Sequence, residues 1–524
     1  MVALGSSVLV SLLVYAGRVV ELFGDLRLFA TSGGEGVIIH NVWKAAHGFQ
    51  VYGFPDRDPF DITLYNYMFF FTYGRLAAGC GMDGDALVSF CRLLTLGSAS
   101  LGAFAQWRIL LLALGTVTRR ESVVIVLLSI LTWYGTFYMN WWLVSVRPDV
   151  PAVAMATVAL WLFLLSLRGG NWRWLVMLAV ILFYLAWSFK QSVVWMLTGA
   201  VAGAFFVPGG RRQALLLAIP TALAFAATLV VGTPEYRYQI LNAPAMNRII
   251  VGDSLSRLVQ LIPPLALFWF FAALRLVQRV VPAIRRSLAL PDLGSPGAII
   301  WAILATIGAL ALVMGTIAIG KEGSGRNHLM EAVVVVSILA GIHLIQVIRA
   351  ADSPARSLTL WLAVVMAGTL CLRPLNSLTR DEFSGMRGGR DADVERHLAL
   401  AKVMRALPKP VFTRDDIQSQ AWNSTAGDHP AVILDSVYYF AAKRAGALQG
   451  GGLPALFMQH RFRAILIAKS DAFFNEVIPA AHLAGYLTDT TLPPSLTAAG
   501  FELMVLPTGA VPQSEGNPSP VSTP

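Results

Sequence analysis

Apolar runs long enough to cross a bilayer recur along this chain, and the short linkers between them alternate in kind. A spanning helix needs ~20 mostly apolar residues. Such runs stand at about 4–24, 88–114, 122–141, 149–167, 173–189, 191–207, 213–232, 257–277, 297–319, 330–348 and 357–373. Inside a bilayer no water satisfies backbone N–H and C=O groups, so each run must close its own hydrogen bonds as a helix. The chain is therefore expected to be a polytopic α-helical membrane protein with about eleven spans. Its 13% of charged residues agrees, against roughly 25% in soluble domains.

The linkers give the topology. Arg119-Arg120, Arg168 with Arg173, Arg211-Arg212, the run from Arg275 to Arg286, and Arg349 with Arg356 form one set. By the positive-inside rule these five face the cytoplasm. They also account for the net charge of +10 without a nucleic-acid partner. The other set mixes acids, amides and aromatics: Arg147-Pro148-Asp149, Phe189-Lys190-Gln191, 233–256 and 321–331. It belongs on the opposite side. A further apolar stretch, 62–78, would invert this parity if it crossed, so it reads as a juxtamembrane or re-entrant helix. The N-terminus is then cytoplasmic, with residues 1–24 a retained first span. Cys80, Cys91 and Cys371 show no metal-site spacing.

Three regions follow. Residues 1–373 form the membrane part, with 25–86 as its first outer loop. Residues 374–511 regain charge and carry short apolar runs at 431–434 and 464–468, as in a small α/β domain. Residues 512–524 are rich in Pro and Ser and read as a disordered tail.

The chemistry-bearing residues crowd at outer boundaries. Ile38, Val42, Ala45 and Phe49 share one helical face, with His40, Lys44 and His47 on another. This predicts a surface amphipathic helix starting at Glu35. A carboxylate at a helix N-terminus stays ionised and either caps the helix or acts as a base. Pro55-Asp56-Arg57-Asp58-Pro59 offers two carboxylates around an arginine, either as a polar loop with an internal ion pair or as a site for sugar hydroxyls or a divalent metal (Mg or Mn). Arg147, Asp149, Lys190 and Gln191 interrupt apolar runs, where ionisable groups are functional candidates. Lys190 either snorkels or holds a phosphate. The stretch from Lys321 through Arg326, Asn327 and His328 to Glu331 joins cations to Gly323 and Gly325, as a phosphate site would. It lacks the Walker order.

Together these stretches resemble the GT-C superfamily of membrane glycosyltransferases, which includes protein O-mannosyltransferases, lipid A aminoarabinose transferases and rhizobial lipopolysaccharide galacturonosyltransferases. The resembling residues are Glu35-Gly-Val to Gly48-Phe-Gln-Val-Tyr52, Asp58-Pro-Phe with Leu64-Tyr65, Arg147-Pro-Asp149, Lys190-Gln191, and Gly320-Lys-Glu-Gly-Ser-Gly-Arg-Asn327 with Glu331. The resemblance implies transfer of a sugar from a polyprenyl-phosphate donor to a glycan, lipid or protein acceptor, with inversion, on the outer face of a bacterial inner membrane. Glu35 matches the family base. Many members carry an acidic pair there, whereas Gly34 precedes Glu35 here, so Asp56 and Asp58 compete for that role. Asp149 matches a second acid. Lys190, Lys321, Arg326, Asn327 and His328 would hold the donor phosphate, and Arg57, Tyr65, Arg147, Gln191 and Glu331 would contact substrate. No cofactor is certain. The rival functions are a transporter or flippase of lipid-linked sugars, which predicts mid-span charges and internal repeats, and a non-catalytic membrane subunit.

Overall fold

The structure, a computed structural model, describes residues 2–23, 35–54, 56, 63, 65–136, 139–169, 172–250, 252, 256, 296–321, 325–349, 389–408, 410–414, 432–434 and 436–507. Its first nine longer helices are α1 (Val2–Phe23), α2 (Glu35–His47), α3 (Tyr67–Gly79), α4 (Gly84–Leu114), α5 (Arg119–Ile130), α6 (Asp149–Ser166), α7 (Trp172–Phe189), α8 (Trp195–Phe205) and α9 (Arg211–Val231). Two more, Pro296–Ile319 and Met330–Arg349, complete the described bundle. Six helices among the described residues are long and apolar enough to span a membrane: Ala86–Leu114, Asp149–Ser166, Trp172–Phe189, Arg211–Val231, Pro296–Ile319 and Asn327–Arg349. The expected spans at 257–277 and 357–373 lie outside the described residues. This is a multi-pass helical membrane protein.

Local chemistry sets the helix starts. Asp83 caps α4 by accepting from Gly84 N at 2.7 Å. Thr118 and Glu121 form a reciprocal capping box on α5. Helix α6 is the most enclosed of the early spans and packs on α4 and α7. Helix α8 meets the Pro296–Ile319 helix through Gly199 and Gly203. A Cβ at Gly199 would stand 2.6 Å from Ile307 Cα, and one at Gly203 would stand 2.9 Å from Ile303 Cα. Small residues at this spacing let two membrane helices touch backbone to backbone, where van der Waals contact replaces the missing hydrophobic drive. Gly74 does the same for α3, lying against the Val42 carbonyl of α2.

The two linker types gather at opposite ends of the bundle. At one end Arg349 donates to Glu121 (Nε to Oε1, 2.8 Å) and to the Thr116 carbonyl at 2.6 Å, while Arg168 donates to the Leu112 carbonyl. Arg147, Asp149, Lys190 and Asn327 meet at the other end.

The C-terminal α/β unit holds a five-stranded sheet of β1 (Val411–Arg414), β2 (Val432–Leu434), β3 (Ala464–Ala468), β4 (Leu487–Asp489) and β5 (Phe501–Val505), in the order β2-β1-β3-β5-β4. The first three are parallel neighbours, and β5 runs antiparallel to β3 and β4. Strand β3 alternates. Ile465 and Ile467 join Phe412, Phe457 and Phe473 on one face, whereas Ala464 and Leu466 join Leu400, Met404 and Leu503 on the other. This unit touches the membrane part: Gln449 N donates to the Asp56 carbonyl at 2.6 Å, and the Ser436–Arg444 helix rests on the Ala243–Met246 turn.

Three sequence expectations need correction. The run 122–141 is not one helix. After α5 the backbone widens into a π turn over Leu131–Gly135, then a 3-10 turn over Asn140–Val144. Thr132 and Thr136 bond back to the carbonyls of Leu128 and Thr132, and Gly135 lies against Ser11. Such back-bonding loosens a helical ladder. The run 191–207 becomes helical only at Trp195, because Lys190 to Val194 turn aside into the site. The stretch 62–78, read as a juxtamembrane or re-entrant helix, holds α3 from Tyr67 and is not among the described spanning candidates. Helix α2 is no surface amphipath, since His40 and Lys44 are buried with its apolar residues. Burial, with Lys44 nearby, pushes the His40 pKa well below its ordinary value, so this ring is neutral.

Candidate active site

Asp149, the first residue of α6, gathers the polar groups of three connections. Its Oδ1 accepts from Lys190 Nζ and from Asn327 Nδ2 (2.5 Å), and its Oδ2 accepts from Arg147 Nε at 3.3 Å. The carboxylate is buried, so its two cations are what make it tolerable there. Burial lowers the Lys190 pKa, while Asp149 opposes that shift. The Arg147 guanidinium lies 4.0 Å from the centre of the Trp142 ring and donates from Nη2 to Tyr65 Oη at 2.7 Å. His328 stands within electrostatic reach of Lys190, Asp149, Lys321 and Arg147. Ile249 bridges to Lys321 in a short antiparallel contact. Burial lowers the Lys321 pKa as well.

One amide bridges two points of the first loop. Gln239 Nε2 donates to the Gly53 carbonyl at 3.0 Å, and its Oε1 accepts from Thr63 N at 3.2 Å. Gly53 and Thr63 are thereby joined through one side chain, and Thr63 Oγ1 also donates to the Val51 carbonyl at 2.7 Å. Tyr52 Oη then donates to the Tyr65 carbonyl at 2.7 Å, which ties the loop to the Arg147 cluster. Asp56 sits in this loop and is buried. Its Oδ2 accepts from Tyr238 Oη at 3.0 Å, while Oδ1 has no hydrogen-bond partner among the described residues. A buried carboxylate oxygen without a donor is costly.

Glu35 differs. Arg92 grips it with Nε on Oε1 and Nη2 on Oε2, both at 3.1 Å, and Val146 N donates to Oε1 at 2.7 Å. Both oxygens are engaged, and neither residue reaches solvent. Glu331 also has a defined contact. Its carboxylate accepts from the backbone N–H of Met196 at 2.9 Å and from that of Trp195, and so caps the start of α8 from a neighbouring helix.

The structure thus brings Tyr65, Arg147, Asp149, Lys190, Asn327 and His328 together, sets Lys321 beside them, and places Glu35 and Glu331 in supporting contacts. Gln191 lies next to Lys190 at the half-buried turn before α8. Arg57, Asp58 and the Arg326 side chain lie outside the described residues. Among the described residues no group of three His, Cys, Asp or Glu could hold a metal. Asp149 and Glu35 are each engaged by cations, and Asp58 of the candidate metal loop lies outside the described residues. Sequence reading missed Arg92, Trp142, Tyr238 and Gln239. Arg92 carried a signal, a lone arginine inside an apolar run; Gln239 carried none.

No family model and no curated protein sequence matches the chain. Solved structures do. ArnT from Cupriavidus metallidurans bound to undecaprenyl phosphate aligns at 13% identity with a TM-score of 0.57, covering 96% of this chain and 99% of that one. Its apo state gives 11% and 0.56, with 94% and 97% covered. The Archaeoglobus fulgidus oligosaccharyltransferase in complex with Zn and sulfate gives 11% and 0.51, over 93% of this chain and 72% of that one. The chain has the GT-C fold. Identity this low speaks for the fold alone, and the near-complete coverage of both ArnT chains extends that likeness from α1 through the C-terminal unit.

Proposed function

We propose that the protein is a membrane glycosyltransferase that moves a sugar from a polyprenyl-phosphate donor to an envelope glycan, lipid or protein acceptor, by inverting single displacement. The observation that carries this reading is the convergence of Arg147, Lys190, Asn327 and His328 around Asp149, beside a clamped loop that presents a half-free Asp56 carboxylate. The donor in this reading has the chemistry of the undecaprenyl phosphate bound by ArnT.

Asp56 suits the base better than Glu35. Its Oδ1 is free to accept the acceptor hydroxyl proton, whereas Arg92 and Val146 N use both Glu35 oxygens. As that proton leaves, the acceptor oxygen bonds to the anomeric carbon from one face. The bond from that carbon to the phosphate oxygen breaks on the other, and the electron pair departs on the polyprenyl phosphate. Lys190, Lys321 and Arg147 stabilise the growing phosphate charge. The leaving phosphate is already a good anion and needs no protonating acid. Asp149 holds Lys190 and Arg147 in place and keeps them charged. The prenyl chain would lie between spans. The cluster would face the periplasm of a bacterial inner membrane, opposite the arginine-rich end, with the C-terminal unit on the same side.

Purified protein in lipid nanodiscs, given synthetic polyprenyl-phosphate sugars and an envelope extract, tests this. Release of free polyprenyl phosphate that depends on acceptor and is lost in Lys190→Ala supports the reading. No release with any hexosyl or pentosyl donor counts against it.

A further inference from the structure

The end of the bundle away from the site carries charge that the transfer reaction does not use. From Val150 to Pro234 the sequence contains no Asp or Glu, yet it contains Arg168, Arg173, Arg211 and Arg212. The fold brings three of these onto aromatic rings. The Arg212 guanidinium lies 5.0 Å from the centre of the Trp172 ring, and that of Arg173 lies 5.5 Å from the same ring. Arg211 lies 5.5 Å from the Phe205 ring and donates from Nε to the Phe205 carbonyl at 3.4 Å. All three are exposed. Glu121, the described acid of this end, is already taken by Arg349.

Two like charges flanking one indole repel each other unless an anion lies between them. Stacking fixes the guanidiniums and leaves their outward N–H groups for a planar or tetrahedral oxyanion. An apolar track leads away from them along α7: Trp174, Met177, Leu178 and Ile181, at one-face helical spacing, are 73%, 44%, 46% and 50% exposed. Phe206, 75% exposed, packs edge-on against the Phe205 ring that Arg211 covers.

We propose that this cluster binds the phosphodiester headgroup of an anionic phospholipid, whose acyl chains lie along the α7 track. The track decides between a lipid and a free phosphate, because only an amphiphile covers both parts. The proposal does not rest on the glycosyltransferase reading, since none of these residues takes part in it.

The full-length protein is tested in detergent by native mass spectrometry, with phosphatidylglycerol competing against phosphatidylcholine of the same chains. Wild type is expected to retain phosphatidylglycerol preferentially. The double variant Arg173→Gln/Arg212→Gln is expected to lose at least about ten-fold of that preference, given the attraction each arginine adds near an anionic headgroup. Arg119→Gln/Arg120→Gln removes equal charge from the same end and is expected to keep it. If the Arg173→Gln/Arg212→Gln variant does not stay monodisperse, Arg211→Gln reads the same preference with a smaller loss. An equal loss in the Arg119/Arg120 control would overturn the proposal, as would no preference in wild type. Displacement of the lipid by glycerol phosphate at matched concentration would also overturn it.

Discussion

At the scale of single residues, the two first-loop acids separate by what holds them. Glu35 and Arg92 form a buried bidentate pair, and removing one partner of such a pair costs about 3–5 kcal/mol because the other charge is stranded. Glu35→Ala should therefore lower the melting temperature and the membrane yield before any effect on turnover can be read, which a thermal-shift assay in detergent checks. Asp56→Asn should leave that melting temperature unchanged and lower kcat by about 10²–10⁴-fold, the usual worth of a positioned base. Lys321 supplies the pH handle. Burial lowers its pKa, so it sheds its proton as pH rises through that lowered value, and donor binding weakens on the alkaline side. Lys321→Arg keeps the charge and should extend the alkaline limb of the donor-KM profile to higher pH. The candidate cations and Asp149 were legible in the sequence because each breaks an apolar run. The contacts of Glu35 were not, since the residue that neutralises it lies 57 positions away on α4.

At the scale of elements, two devices position the site. Helix α8 begins in an apolar setting with its first N–H groups capped by Glu331. Glu331→Gln retains an acceptor oxygen and should keep most activity. Glu331→Leu leaves those groups unsatisfied at about 1–3 kcal/mol each and, by loosening the turn after Lys190, should raise donor KM more than it lowers kcat. Steady-state kinetics on both variants reads the difference. The second device is the glycine seam. Gly199→Leu pushes α8 away from Ile307 and should destabilise by at least about 1–3 kcal/mol, as overpacking does. Differential scanning calorimetry in detergent measures it. Hydropathy located most helices, because a bilayer permits little else. It could not see where side chains end a helix early, as Thr132, Thr136 and Gly135 do after α5, nor that His40 and Lys44 are buried. Strands β2 and β3 showed as short apolar runs, while β1, β4 and β5 were too short or too mixed to stand out.

At the scale of the whole molecule, the alternation of linkers sorted the polar chemistry to one end and the arginines to the other, and the structure keeps them apart. The clamp by Gln239 and the contact of Gln449 with the Asp56 carbonyl join the first loop to the Tyr238 turn, 182 positions from Asp56, and to the C-terminal unit still further along the chain; no local pattern encodes such contacts. We propose that this end transfers sugar from a lipid phosphate with Asp56 as base. Mass spectrometry of envelope glycans and lipids tests it most directly, comparing cells that carry wild type with cells that carry Asp56→Asn at equal membrane abundance. One acceptor is expected to lose the mass of a single sugar while the lipid-phosphate form of that sugar accumulates. An unchanged glycan and lipid profile in the Asp56→Asn cells would contradict it.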